Sequence, residues 1–194
     1  MTRKFLPFFL LLVLFVPAGL AQTPDWEIYT GYSVQRSTVR AYYKSTPTIY
    51  TFREQDINLD GWEVSFTENV NRWFGGTLQL TGHRKSPVVL GTKNQETMFS
   101  IMYGPRFAYR MGWGTAYLQL PFGAGHTSVK VSPGPHASEW SFVAAASLGM
   151  DVNVARRLAV RALQLQYSPM NQIATKNHTF QASAGVVFRL GEAQ

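Results

Sequence analysis

The sequence predicts an all-β protein: an eight-stranded antiparallel up-and-down transmembrane β-barrel, preceded by a cleavable signal peptide. Three observations predict it. The chain opens with a basic, then apolar, then small-residue stretch of the export type. The remainder alternates apolar and polar residues with a period of two and shows weak helical periodicity. The segments that alternate are joined by connections that run long, short, long, short, the arrangement of barrels with long loops on one membrane surface and tight turns on the other.

The opening stretch is "MTRKFLPFFLLLVLFVPAGLAQ". Arg3 and Lys4 precede an apolar run over 5–16, broken only by Pro7, and Gly19, Leu20 and Ala21 supply a small-residue cleavage site. A cut after Ala21 divides the chain into a signal peptide, 1–21, and one barrel domain, 22–194. The apolar run falls short of the roughly 20 residues of a spanning helix, although an uncleaved N-terminal anchor is the alternative reading. The chain contains no cysteine, which excludes disulfides, thiol chemistry and lipid attachment at a cysteine. Formal charge is +7, and two of the positive charges, Arg3 and Lys4, leave with the signal. The remaining excess of cations suits anionic lipid headgroups or lipopolysaccharide. No basic cluster points to nucleic acid.

Eight strands follow in order: 26–36, 57–69, 73–83, 95–110, 114–126, 138–153, 157–167 and 177–190. Each has about the 9–11 residues, or more, that a tilted spanning strand requires. After the second, fourth and sixth come "NVNRW", "RMGWG" and "VNVARR", tight turns in which Asn or Gly supplies the turn chemistry. After the first comes the long "STVRAYYKSTPTIYTFREQD"; after the third, fifth and seventh come "RKSPVVLGTKN", "TSVKVSPGPHA" and "SPMNQIATK". An even strand number puts both termini on the tight-turn side, the periplasm in an outer membrane.

The parity of the strands assigns their faces. In the sixth, Trp140, Phe142, Ala144, Ala146, Leu148 and Met150 oppose Ser141, Val143, Ala145, Ser147, Gly149 and Asp151. The fourth sets Phe99, Ile101, Tyr103 and Phe107 against Ser100, Met102, Gly104 and Arg106, and the second, fifth and eighth divide in the same way. The apolar faces are bulky and the opposite faces small and polar. A soluble barrel such as a lipocalin has the bulky apolar residues inside, so these faces call for lipid. Trp62, Tyr109 and Trp140 stand near the ends of the apolar faces as girdle residues. Glu27, Glu63, Arg106, Arg110, Asp151 and Arg189 fall on inward parity, where they must pair or stay wet; they are expected to form a lumen charge network filling the barrel, a narrow conducting path being the alternative. The seventh strand resists: Leu163, Leu165 and Tyr167 share parity with Arg161. Either Arg161 lies near the periplasmic interface or a bulge shifts the register.

The pieces "GWEVSFTENVNRWFGGTLQLTG", "YGPRFAYR", "PFGAGH", "LGMDVNVARRLAVRALQLQY" and "FQASAGVVFRLG" resemble the small outer-membrane β-barrels of the OmpA transmembrane-domain and OmpX type. The resemblance covers nearly all of 22–194. It implies a multi-pass barrel in the outer membrane, probing lipid and lipopolysaccharide with its outer wall, delivered by periplasmic chaperones and inserted by the barrel-assembly machinery. That machinery reads a closing strand that ends in an aromatic, a role Phe188 fits, although here the chain continues through "RLGEAQ". A monomer is expected.

Chemistry is sparse. The sequence has no phosphate-binding glycine loop and no HExxH, and neither cofactor nor metal is expected. The topology places His83, His126, His136 and His178 at the outer rim, where three converging imidazoles would be needed to hold a metal. His126 and Ser128, spaced to share a strand face, with Glu139 on the next strand, supply the residue types of a base, nucleophile and orienter. They resemble the arrangement in outer-membrane lipid A deacylases, although Val129 stands where that family carries Asn. Two functions are therefore weighed: a non-enzymatic barrel with a structural or adhesion-like role, its first outer loop carrying Arg40, Tyr42, Tyr43, Lys44, Tyr50, Phe52 and Arg53; and a lipid-modifying hydrolase using Ser128.

Overall fold

The structure, a computed structural model, describes residues 25–46, 49–85, 88–89, 92–132, 136–155, 157–172 and 175–191. The expected signal peptide and its cleavage site lie outside the described residues, as does most of the tail after Leu190. The strands are β1 (Asp25–Thr46), β2 (Ile49–Asn69), β3 (Phe74–Lys85), β4 (Val88–Val89), β5 (Thr92–Met111), β6 (Gly114–Gln119), β7 (Phe122–Ser132), β8 (His136–Ala144), β9 (Ala146–Ala155), β10 (Leu158–Gln172) and β11 (Thr175–Leu190).

They form one closed antiparallel barrel of eight strands. β6 and β7 are two halves of the fifth barrel strand, and β8 and β9 are two halves of the sixth. The break in the fifth falls at Leu120 and Pro121. Pro121 has no N–H to give the ladder, and Pro105 on the facing strand has none either. The carbonyls are used instead: Leu120 N–H donates to Pro105 O (3.1 Å) and Ala145 N–H to Pro121 O (2.8 Å). The continuous fifth and sixth strands of the sequence reading are corrected accordingly. Closure comes from β1 and β11, paired from Trp26↔Leu190 to Ser37↔Thr179. Closing the sheet leaves no edge to be satisfied, the condition for strands in hydrocarbon.

At the tight-turn end, Asn71 organises the first turn: its Oδ1 accepts from Trp73 N–H (2.9 Å) and Phe74 N–H (2.8 Å). Gly112 and Trp113 form the second turn, and Asn153 reaches it through its backbone N–H to Trp113 O (2.9 Å) and its side chain to Gly112 O (3.2 Å). Gly191 leaves the closing strand at φ 105°, a conformation glycine takes without steric cost.

At the other end the expected long loops are corrected, because the ladders continue through them. β1 pairs with β2 as far as Thr46↔Ile49. β7 pairs with β8 as far as Lys130↔His136, and β10 with β11 as far as Gln172↔Thr175. The β1–β2 hairpin is the longest, running roughly 45 Å of strand beyond the Tyr32↔Trp62 pair at about 3.3 Å per residue.

Burial is inverted relative to a soluble protein. The interior is dominated by Ser, Thr, Gln and charged side chains, while Phe142, Leu148, Tyr103 and Ile101 are among the large apolar residues on the outer surface. Large apolar side chains on the outer surface are what hydrocarbon contact demands. Trp62 (47% exposed), Trp140 (62%) and Tyr109 (73%) all face outward. Trp62 lies across Gly82 of the neighbouring strand, where a Cβ would meet its ring at 2.7 Å, and so reaches Phe99 one strand further on, with centroids 6.5 Å apart.

Candidate functional site

The interior is filled by one connected polar network. Eight strands enclose a space that side chains alone can fill, and the inward parity of the strands supplies long polar ones. Glu27 of β1 faces three guanidiniums: Arg106 at 3.0 Å, Arg110 at 3.3 Å and Arg189 at 3.6 Å. Asp151 of β9 accepts from Arg106 (3.1 Å) and from both Nε and Nη2 of Arg161 (2.8 and 3.2 Å). Arg106 and Arg161 are fully buried. Their flat faces are covered as well. Arg161 lies 4.0 Å from the Tyr29 ring centroid and 4.6 Å from that of Tyr117, and Arg106 lies 4.1 Å from Tyr117.

Glu63 has no guanidinium within ion-pair distance among the described residues. It is held by amides, accepting from Gln164 Nε2 (2.7 Å) and Gln181 Nε2 (2.8 Å). Gln164 Oε1 in turn accepts from Arg161 (2.8 Å) and from the Tyr117 hydroxyl (2.7 Å). The six inward charges named from the sequence thus lie in one lumen, and five of them share ion pairs. Arg161 is the member that sequence reasoning left out.

A bulge explains that omission. The register of β10 shifts between Arg161 and Gln164 against β11, and between Arg161 and Leu163 against β9. Ala162 and Leu163 both face outward, so Arg161 and Gln164 both point in. Of the two readings of strand seven, the bulge is the one observed, and Arg161 is in the lumen rather than at an interface.

Toward the long hairpins the lumen becomes less charged. His83 is buried, with Nε2 2.7 Å from Ser33 Oγ. Thr81 and Ser100 share a hydroxyl contact at 2.6 Å. A cavity of about 40 Å³ bordered by Gln35, Met98, Gln166 and Gln181 has room for water among polar partners.

Tyr117 locks the network to the wall. Its hydroxyl end lies over Gly149, and a Cβ there would collide with it. Gly149→Ala is therefore expected to displace Tyr117 from Arg106 and Arg161 and to destabilise the barrel by about 1–3 kcal/mol, the usual cost of overpacking. Urea unfolding in lipid vesicles, followed by tryptophan fluorescence, checks this; an unchanged midpoint would mean that Tyr117 does not anchor the network.

The rim residues do not assemble into a catalytic or metal site among the described residues. His126 pairs with Phe99 and Trp140 in register, faces outward with them, and packs its ring 4.8 Å from the Trp140 indole. Ser128 shares that outward face. Glu139 pairs with Thr127, one residue out of step, and so lies on the opposite face of the sheet. The expected grouping of His126, Ser128 and Glu139 is corrected: the register keeps the acid from orienting the imidazole. The expectation that all four histidines stand at the outer rim is corrected for His83, which the β3 parity turns into the lumen. His178 faces outward with its Nδ1 2.6 Å from the Tyr167 hydroxyl, and the His136 side chain lies outside the described residues. No three of His, Asp and Glu gather to hold a metal ion among the described residues. Phe188 is outward on β11, opposite Ile28 and Leu158.

A family model described as the outer membrane protein beta-barrel domain matches residues 8–188. Comparison with curated proteins finds no match. Among solved structures, the chain is similar to Ail, the attachment invasion locus protein of Yersinia pestis, in complex with the heparin analogue sucrose octasulfate (TM-score 0.62, 16% identity, covering 87% of this chain and 100% of Ail). It is similar to Neisserial surface protein A (TM-score 0.60, 14% identity, 84% and 97%). It is also similar to the outer membrane protein OprG of Pseudomonas aeruginosa (TM-score 0.56, 14% identity, 88% and 98%). At these identities the likenesses show the fold.

Proposed function

This chain belongs to the outer membrane protein β-barrel domain family, and from that premise we propose that it is a non-enzymatic surface barrel that binds polyanionic polymers through its β1–β2 hairpin. The observation that carries this reading is the hairpin itself. Its ladder continues to Thr46↔Ile49, well beyond the outward aromatic residues Tyr32 and Trp62. Along it the sequence places Arg40, Lys44 and Arg53 among Tyr42, Tyr43, Tyr50 and Phe52, cations and aromatics that suit a binding surface.

In this reading the long hairpins face the cell exterior and both termini face the periplasm. The outward apolar wall meets outer-membrane lipid and lipopolysaccharide, the barrel-assembly machinery inserts the chain with Phe188 in its closing strand, and the barrel works as a monomer. The lumen network argues against a pore, because its buried guanidiniums are paired with Glu27 and Asp151 and its buried Glu63 is held by two amides. The separation of Glu139 from His126 and Ser128 argues against a hydrolase. Ail was solved with a heparin analogue, which makes a sulfated polysaccharide a suitable probe here.

Cells displaying the barrel are expected to adhere to immobilised heparin, and adhesion to fall as salt rises. The triple variant Arg40→Ala, Lys44→Ala, Arg53→Ala is expected to bind at least tenfold more weakly, the sum of three exposed ion pairs of up to about 1 kcal/mol each. Adhesion unchanged both in that variant and when residues 38–56 are replaced by a short turn would overturn the proposal. Loss of an acyl chain from lipid A on incubation with the wild type, and not with Ser128→Ala, would favour the hydrolase instead.

A further inference from the structure

The outward wall of the barrel is not uniform. Over β1, β11, β10, β9 and β6 it is hollowed into a groove of about 530 Å³. Register explains the hollow. One row of paired residues runs Arg36, Phe180, Tyr167 and Ala146, with Phe180 between Arg36 and Tyr167, and the row below it runs Val34, Ala182, Leu165 and Leu148. The two alanines floor a trough whose sides are the bulkier side chains.

The groove is polar at one end and apolar at the other. Its end toward the long hairpins carries the exposed Arg36 and the Tyr167–His178 pair, hydroxyl to Nδ1 at 2.6 Å with the rings stacked at 5.9 Å. Two residues further down its walls are aliphatic. Arg84 and Lys130 stand exposed at the same end of the barrel, on other strands. A trough with a cation and hydrogen-bonding groups above an aliphatic floor is complementary to a lipid that has an anionic headgroup above an acyl chain.

We propose that this groove is a binding site for lipid A, with one acyl chain lying over Ala146 and Ala182 and a lipid A phosphate at Arg36. The choice of lipid A over a phospholipid rests on the proposed orientation, which sets the Arg36 end in the outer leaflet. Arg36 is favoured for phosphate because its planar fork of N–H donors matches two phosphate oxygens at once.

The test is native mass spectrometry of the purified barrel in detergent, with bisphosphorylated lipid A added. One lipid A is expected to remain on each wild-type barrel. Arg36→Gln should lower the retained fraction about fivefold, as for loss of one exposed ion pair. Ala182→Trp fills the floor, removes no charge and should lower retention as well, whereas Ala124→Trp, outward on the far wall, should leave it unchanged. Heat-modifiable migration shows that each variant is folded. Wild-type retention by both groove variants, equal loss in Ala124→Trp, or equal retention of phosphatidylglycerol would each overturn the proposal. The measurement in detergent does not depend on which way the barrel faces, so a negative result leaves the orientation standing, and the orientation is decided separately by surface labelling.

Discussion

Asp151→Ala is expected to destabilise the barrel by about 3–5 kcal/mol, the effect of removing one partner from a buried ion pair. Asp151 is fully buried and takes two guanidiniums, both themselves buried. Without it Arg106 keeps Glu27 at 3.0 Å, but Arg161 is left with Gln164 and the faces of two tyrosines. Most of the loss is therefore an uncompensated charge at Arg161 rather than the value of the pair. The double variant Asp151→Ala, Arg161→Met removes that charge and is expected to recover much of the loss, since apolar replacement of a buried pair is often close to neutral. Urea unfolding of the vesicle-inserted protein measures both. A single variant as stable as wild type, or a double variant no better than the single, would contradict the network described here.

Ile101→Arg is expected to cost more than about 1 kcal/mol in a bilayer, since a cation on the lipid face costs about 2–4 kcal/mol at the midplane and less toward the interfaces. Ile101 is 41% exposed on β5, between the outward Phe99 and Tyr103. Were this surface in water, substitution at so exposed a position would fall within about 0.5 kcal/mol of neutral. The two environments thus predict clearly different values for one residue. Vesicle unfolding of Ile101→Arg beside Ile101→Val reads the difference; equal stability of the two would mean that the outward apolar face does not meet hydrocarbon.

The faces of most strands were legible because hydrocarbon imposes a strict period of two. Trp140, Phe142, Leu148 and Met150 alternate with Val143, Ser147 and Asp151 without a break in parity, and the sheet observed has the same division. Proline did not disturb this, since Pro121 interrupts the ladder without changing which side the next residue faces. The bulge in β10 did. A signal was present, because Gln164, Gln166 and Ser168 alternate on the parity opposite to Arg161, which requires one extra residue between them.

His83 was misplaced for a different reason. Its position at a strand end suggests the rim, whereas Thr77, Gln79 and Thr81 alternate with Leu78 and Leu80 and carry His83 inward. The failed grouping of His126, Ser128 and Glu139 depended on cross-strand register, which no spacing along one strand reveals. The long hairpins look like loops in the sequence because they are polar, although polar residues pair in a ladder as well as apolar ones once water replaces lipid on both faces.

A barrel that spans a membrane has the β1–β2 hairpin on one side and the tight turns on the other. The absence of cysteine makes a direct measurement available. One cysteine is placed at Thr46 and another at Gly112, the latter a position with open space around it, and each single-cysteine barrel is exposed to a membrane-impermeant maleimide on intact cells. Thr46→Cys is expected to react at once, and Gly112→Cys only after the outer membrane is permeabilised. Reaction of Gly112→Cys on intact cells, or protection of Thr46→Cys, would contradict the account.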